Sequence, residues 1–165
     1  MNRLLRRKSG FVSIEAVVSM SAILAVVFLG IGFISYMYPK LMIEKEVHIL
    51  AQKAKVQGGL TNEQSEPINS DLEVFYKKME ERGYKRENIQ VTAKTVTYGI
   101  NCIGVTPVNG EGTSYMKRDS KDPIEVTVSL PANKSGLLGP FAFFSYKDKT
   151  GNQYIFKETV LSERW

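Results

Sequence analysis

The sequence predicts an α+β fold in which a long N-terminal helix packs on a small antiparallel β-sheet, with one additional short helix. An apolar run that continues into an amphipathic helical pattern predicts the long helix, which ends near Gln57. Alternation of Val, Thr, Tyr and Ile with polar residues, between about 88 and 165, predicts the strands. The chain of 165 residues is long enough for one modest domain beside a membrane-spanning helix.

The first part of the long helix is predicted to cross a membrane. The run from Ala16 to Pro39 carries no charge and reaches about 36 Å as a helix, against about 30 Å for a bilayer core. Tyr36 and Tyr38, followed by Lys40, are typical of a membrane–water interface. A cleaved secretory signal would have a shorter core and small residues in that place, so we interpret the helix as retained.

The flanking charges predict the orientation of this helix. Basic residues without any acid precede it, whereas the residues after it have mixed sign. The basic ones are Arg3, Arg6, Arg7 and Lys8. The positive-inside rule therefore places residues 1–10 in the cytoplasm, residues 11–39 across the membrane and residues 40–165 outside the cell membrane.

The start of the chain resembles the leader of type IV prepilins and pseudopilins. The resemblance rests on Gly10, Phe11 and Glu15, which directly precede the apolar helix. It implies that a membrane aspartyl peptidase, the prepilin peptidase, cuts after Gly10 on the cytoplasmic face. Phe11 would then be the new N-terminal residue, often methylated in this family, and Glu15 would be mature residue five.

Glu15 also stands out on physical grounds. Inserting a carboxylate at the centre of a helix in hydrocarbon costs about 2.5–3.5 kcal/mol. Near the edge of the membrane the cost is lower, but the carboxylate still needs a partner. Cleavage before Phe11 creates a free α-amine on roughly the same helix face, and a neighbouring subunit shifted along the axis can bring its own amine to the carboxylate. The alternative is a carboxylate favoured by the helix dipole, which does not explain its conjunction with Gly10 and Phe11.

Net charge and cysteine content limit the possible partners. The formal charge is +5, but residues 1–10 hold four of the 22 basic residues, which leaves 18 basic against 17 acidic residues, a net of +1. The basicity therefore belongs to targeting, and no nucleic-acid partner is expected. Cys102 is the single cysteine, so no intrachain disulfide of the kind common in Gram-negative pilins is possible, and we expect it to be buried or half-buried.

Beyond the membrane the helix is predicted to continue over residues 40–57. Apolar residues at helical spacing mark one packing face, and Gly58 and Gly59 mark its end. The members of that face are Ile43, Val47, Leu50 and Ala54. Pro39 predicts either a kink or a simple break at the membrane surface, because it has no N–H for the carbonyl of Ser35.

A second, short helix is predicted over residues 70–82, after a polar loop from Leu60 to Asn69. Ser70 and Glu73 form a capping-box pattern, and Gly83 supplies the stop. Its apolar face consists of Leu72, Phe75, Tyr76 and Met79.

The rest of the chain is predicted to be mostly β. Strands are expected over Ile89–Ile100, Ile124–Leu130 and Tyr154–Leu161. The segment Gly104–Pro123 is predicted to be an exposed loop, and Lys149–Asn152 a turn.

An apolar segment from Ser135 to Phe144 is too short to span a bilayer. It fits a core segment, which we favour, a loop at the membrane surface or a subunit contact. Together with a final strand, this layout resembles the TadE-like minor pilins of tight-adherence systems. Major pilins of those systems usually have Tyr after the Glu, whereas this chain has Ala16.

No catalytic residue is assigned, and neither a metal nor a cofactor is expected. His48 is the single histidine, so no Cys/His cluster can bind zinc, and no Gly-rich phosphate loop follows a strand. Asp119, Asp122 and Glu125 lack the spacing of a calcium loop and are interpreted as solvated.

The resemblance to prepilins therefore implies a pilin-like structural subunit, a minor pilin or pseudopilin. It would be processed after Gly10 and assembled through its N-terminal helix into a pilus, a secretion-type filament or an initiation complex. The expected partners are the prepilin peptidase, other pilin subunits, the assembly platform and the membrane. The alternatives are a signal-anchored binding module that does not polymerise and, less favoured, a small ectoenzyme.

Overall fold

The computed structural model describes residues 3–131 and 153–165, with side chains from Ile14 onward except that of Tyr36. The chain divides into two compact units, one with the residues up to Pro39 and the other with the described residues from Lys40 onward. The expected apolar segment 135–144 and the expected turn 149–152 lie outside the described residues.

Helix α1 spans Arg3–Gln57 without interruption at Pro39, so the predicted alternative of a break at this residue is wrong. It begins earlier than the predicted start near Phe11, because Leu, Arg and Lys before this residue are good helix formers. The predicted end at Gln57 is confirmed. Gly58 has φ +72°, and the N–H of Gly59 donates to the carbonyl of Ala54 at 2.9 Å, which closes the helix in a left-handed turn.

Helix α2 spans Asp71–Glu81 and confirms the short helix predicted between residues 70 and 82. The Ser70 hydroxyl accepts a hydrogen bond from the N–H of Glu73 at 3.3 Å, as expected for an N-cap. Leu72, Phe75 and Met79 are buried, whereas Tyr76 packs against the core from a half-buried position.

Three strands form one antiparallel sheet in the order β1–β2–β3, where β1 is Gln90–Thr95, β2 is Ile124–Pro131 and β3 is Gln153–Val160. The alternation predicted for β2 is confirmed, since its residues are buried and half-buried in turn. The prediction that β1 reaches Ile100 is wrong. The chain turns after Thr95, because the carboxylate of Asp122 accepts hydrogen bonds from the N–H groups of Thr97 and Tyr98.

One hydrophobic core joins the second part of α1, helix α2 and one face of the sheet. All four residues of the predicted packing face of α1 are at most 2 % exposed, which confirms that this part of α1 is an amphipathic helix. Cys102 is also buried. The expectation that 104–123 is an exposed loop holds only in part, because Val105 and Asp122 are buried.

We expect a chain that starts at Lys40 to fold on its own, because every residue of the core cluster lies after that position. Such a chain should be soluble, with a mixed α/β circular dichroism spectrum and one cooperative unfolding transition. An insoluble or molten product would show that the domain requires the preceding helix or a partner.

A buried ion-pair cluster fixes α2 against α1. Glu46 of α1 is only 7 % exposed, and its carboxylate lies 2.8 Å from Lys78 Nζ and 2.9 Å from Arg82 Nη2. Burial alone would raise the pKa of Glu46, but the hydrogen bonds and charges of Lys78 and Arg82 lower it below its ordinary value of 4.5. The ionised cluster therefore stabilises the fold.

Replacing Glu46 with glutamine should lower the free energy of unfolding by about 1–3 kcal/mol at neutral pH, because two cations lose their partner. A carboxylate whose pKa is lowered by folding contributes stability above its unfolded pKa and loses it as the pH falls through its folded pKa. The difference between the two proteins should thus shrink below about pH 4.5. Denaturant titrations of the full chain in detergent at several pH values measure this, with the exposed Glu44→Gln as the control. A difference that does not depend on pH would contradict the assignment.

A second cluster closes the far end of α1. The Arg164 guanidinium donates to the carbonyl of Gln57, the last residue of α1, and to that of Pro107, each at 3.1 Å. It also lies 3.6 Å from the centre of the Tyr115 ring. A cation at the C-terminal end of a helix complements the helix dipole, so Arg164 caps α1 and binds the 104–123 segment to it.

Candidate functional site: the exposed segment of the first helix

The apolar residues of α1 between Ile14 and Ser35 have no packing partner in the described part of the chain. Val26 is 69 % exposed and Phe33 is 65 % exposed, and no residue of the most apolar stretch is buried. A core helix of a soluble domain would bury such residues. The helix is long and apolar enough to cross a membrane.

Glu15 is the only residue charged at neutral pH between Ile14 and Pro39. Its side chain is exposed, and it forms no ion pair with any described residue. Gly10 and Phe11 lie in the same uninterrupted helix, and their side-chain positions are outside the described set. Because Phe11 and Glu15 are four residues apart in a helix, they lie on one face.

The end of the apolar segment agrees with an interfacial position. Tyr38 is 60 % exposed and Lys40 is also exposed. From Ile43 onward the helix buries one face, so the change from a helix without buried residues to an amphipathic helix occurs within about one turn of Lys40. Aromatic and basic residues are typical at such a boundary.

The second unit contains a groove of about 770 Å³ between α1 and β3. Lys40, Lys45 and His48 of α1 line it on one side, and residues of β3 line it on the other. His48 Nδ1 lies 2.7 Å from Glu158 Oε1, a pairing across 110 residues that no local sequence signal indicates. The groove is polar and mixed in charge, and Nδ1 of its histidine is occupied by the hydrogen bond with Glu158.

The acidic residues of the 119–125 segment do not converge. Asp122 uses both carboxylate oxygens for backbone N–H groups, and Glu125 pairs with Lys157 at 3.3 Å. Within residues 3–131 and 153–165, no group of three or more His, Cys, Asp or Glu side chains could hold a metal ion. Burial, with a smaller effect of the Asp122 charge, raises the pKa of the Cys102 thiol, which makes it a poor nucleophile at neutral pH.

Comparisons of the chain with protein-family models, with curated proteins and with solved structures give no match. What is established is therefore the architecture. The protein has an α+β fold, and its long N-terminal helix has an apolar part that could cross a membrane.

Proposed function

We propose that this protein is a pilin-like structural subunit of the minor pilin or pseudopilin kind. Its N-terminal helix anchors it in the cytoplasmic membrane, with residues 1–10 in the cytoplasm and the domain from Lys40 outside. The prepilin peptidase removes residues 1–10, and the processed subunit then enters a pilus, a secretion-type filament or an initiation complex through its helix. The peptidase, other pilin subunits, the assembly platform and the membrane are its partners.

The observation that carries this proposal is the exposed apolar segment of α1, with a single carboxylate near its start that forms no ion pair with a described residue. One helix, α1, carries the apolar segment and continues into the domain from Lys40. A membrane anchor alone requires the apolar residues but gains nothing from Glu15. A charged residue within such a segment is by default a candidate for a functional role.

The role of Glu15 follows from charge pairing. Cleavage after Gly10 gives Phe11 an ammonium group, and that group and the carboxylate lie on one helix face. In a bundle of parallel helices, the ammonium of one subunit pairs with Glu15 of a neighbour shifted along the axis. A buried pair of this kind adds little net stability compared with apolar packing, yet it selects one register among many.

The domain has a structural rather than a catalytic role in this proposal. The only histidine is paired with Glu158, and the only thiol is buried. Within the domain from Lys40 onward, the Glu46 cluster joins α1 to α2 and the Arg164 cap joins the end of α1 to the 104–123 segment, which suits a structural subunit. An enzymatic function would require a substrate pocket with a free acid, base or nucleophile.

N-terminal sequencing and intact-mass analysis of the protein extracted from membranes test this proposal. A chain that begins at Phe11, with or without a methyl group, supports it. A chain that still begins at Met1, or that is only trimmed there, identifies a signal-anchored binding module instead. The same mass measurement reports both outcomes.

A further inference from the structure

A second surface lies at the end of the domain where α1 ends. We define the tip surface as the three segments 96–100, 117–122 and 164–165. The sheet register brings them together, because Thr95 of β1 pairs with Ile124 of β2, which pairs with Val160 of β3. The residues after β3 then contact α1, where the N–H of Glu163 donates to the carbonyl of Lys55 at 2.8 Å.

Hydrogen bonds fix the first two segments to each other. The Asp122 carboxylate accepts from the N–H of Thr97 at 2.9 Å and from that of Tyr98 at 3.3 Å. Burial opposes ionisation of this carboxyl group, but these hydrogen bonds outweigh it and lower its pKa. Gly99 has φ +65°, a left-handed conformation that glycine adopts without strain, so the turn closes tightly.

The third segment is fixed to the second. The N–H of Arg118 donates to the carbonyl of Arg164 at 2.7 Å, and the hydroxyl of Tyr115 donates to the carbonyl of Trp165 at 2.9 Å. The Arg118 guanidinium stands 4.4 Å from the centre of the Trp165 ring. The tip surface is therefore ordered before any partner arrives, which reduces the entropy lost on binding.

Large side chains on these ordered segments remain exposed. Tyr98 is 76 % exposed, Trp165 73 %, Val96 56 % and Ile100 50 %. The backbone bonds that hold them leave the side chains themselves uncovered by the described part of the chain. Tyrosine, tryptophan and arginine are the residues that most often dominate the binding energy of protein interfaces. Grouped exposed apolar residues are typical of an interaction site.

The charge of the tip surface defines its partner. One turn carries three exposed cations that form no ion pair with any described residue. They are Lys117, Arg118 and Lys121. Asp119 is the single side-chain carboxylate in the three segments that is not used by backbone N–H groups. A second copy facing this surface across a two-fold axis would bring like charges together. The aliphatic side chains of Val96 and Ile100 favour a protein over a polyanionic polymer, because they offer such a polymer nothing to pair with.

We propose that the tip surface binds an acidic segment of another protein. Apolar or aromatic side chains of that segment pack on Tyr98, Trp165 and Val96, and its carboxylates face the three cations. The apolar contacts set the dissociation rate, whereas the cations speed association and make it sensitive to salt.

Selection of a displayed library of random peptides against the full chain in lipid nanodiscs provides the probe. We expect the selected peptides to combine acidic with aromatic or aliphatic residues. Synthetic versions can be titrated by tryptophan fluorescence, because Trp165 is the only tryptophan in the chain.

Tyr98→Ala should weaken their binding at least about tenfold, and Lys121→Glu should slow association most at low salt. Ile68→Ala, at an equally exposed apolar residue, and Lys85→Glu are the matched controls and should change neither value.

Selected peptides that are neutral or basic, or binding that is unchanged in Tyr98→Ala, would overturn the proposal. A sulfated polysaccharide that binds the tip as tightly as the peptides would show a general polyanion site instead, and would also overturn it. The measurement uses the uncleaved chain, so its result is independent of whether the protein is processed after Gly10.

Discussion

Replacing Gly10 with valine is expected to leave the full-length precursor in the membrane, with no chain that begins at Phe11. In the proposed function the peptidase must approach the residue before the cut closely, and glycine has no side chain to obstruct it. Gly10 also lies inside α1, where glycine costs about 1 kcal/mol relative to alanine. Valine would hold this part of the helix more firmly and so oppose the local unwinding that access to the peptide bond requires.

The matched control is Gly30→Val in the same helix. A Cβ at Gly30 meets no atom within 4 Å, so this substitution changes the helix equally without a clash in the described structure. Intact-mass analysis should find Gly30→Val processed and Gly10→Val unprocessed. Mature protein starting at Phe11 in the Gly10 variant would show that the cleavage site is wrongly assigned.

The elements that the sequence predicted well are those specified by neighbouring residues. The glycine pair after Gln57 ends α1, the Ser70 hydroxyl caps α2, and strict alternation marks β2. Each of these signals acts within a few residues, so it is visible in a short stretch of sequence.

Errors arose where a distant residue determines the local structure. The segment after Thr95 has the composition of a strand, but Asp122 converts it into a turn through Thr97 and Tyr98, 25 and 24 residues away in sequence. The Arg164 cap on Gln57 spans 107 residues. No periodicity or motif predicts such pairs, because neither partner differs from what its local sequence pattern would lead one to expect.

The candidate site shows the same division. The short spacing among Gly10, Phe11 and Glu15 can be recognised in the sequence, and the structure shows that one continuous helix carries all three. The tip surface cannot be anticipated, because the composition around Tyr98 predicts a strand and Trp165 has no informative neighbours. Only the fold brings their segments together.

Glutamine in place of Glu15 is expected to give a processed, membrane-resident subunit that enters filaments or initiation complexes poorly. The substitution keeps the size and removes the charge, so insertion into the bilayer should be no worse and even somewhat easier. Cleavage should persist, because the cut after Gly10 lies outside the altered turn. Assembly should fail because the ammonium group of a neighbouring subunit would be buried without a counter-charge. Removing one partner of a buried ion pair costs far more free energy than removing both.

Glu44→Gln is the matched control, since Glu44 is an exposed glutamate of α1 that lies after the apolar segment. Membrane fractionation, N-terminal sequencing and recovery of sheared filaments separate insertion, processing and assembly in the two variants. For a subunit present in few copies, the effect should be loss of the whole filament or of secretion rather than fewer subunits per fibre, because an initiation complex that fails leaves nothing to extend. Normal assembly with Glu15→Gln would show that this carboxylate has no part in assembly. The proposed function would then lose the pairing on which its mechanism depends.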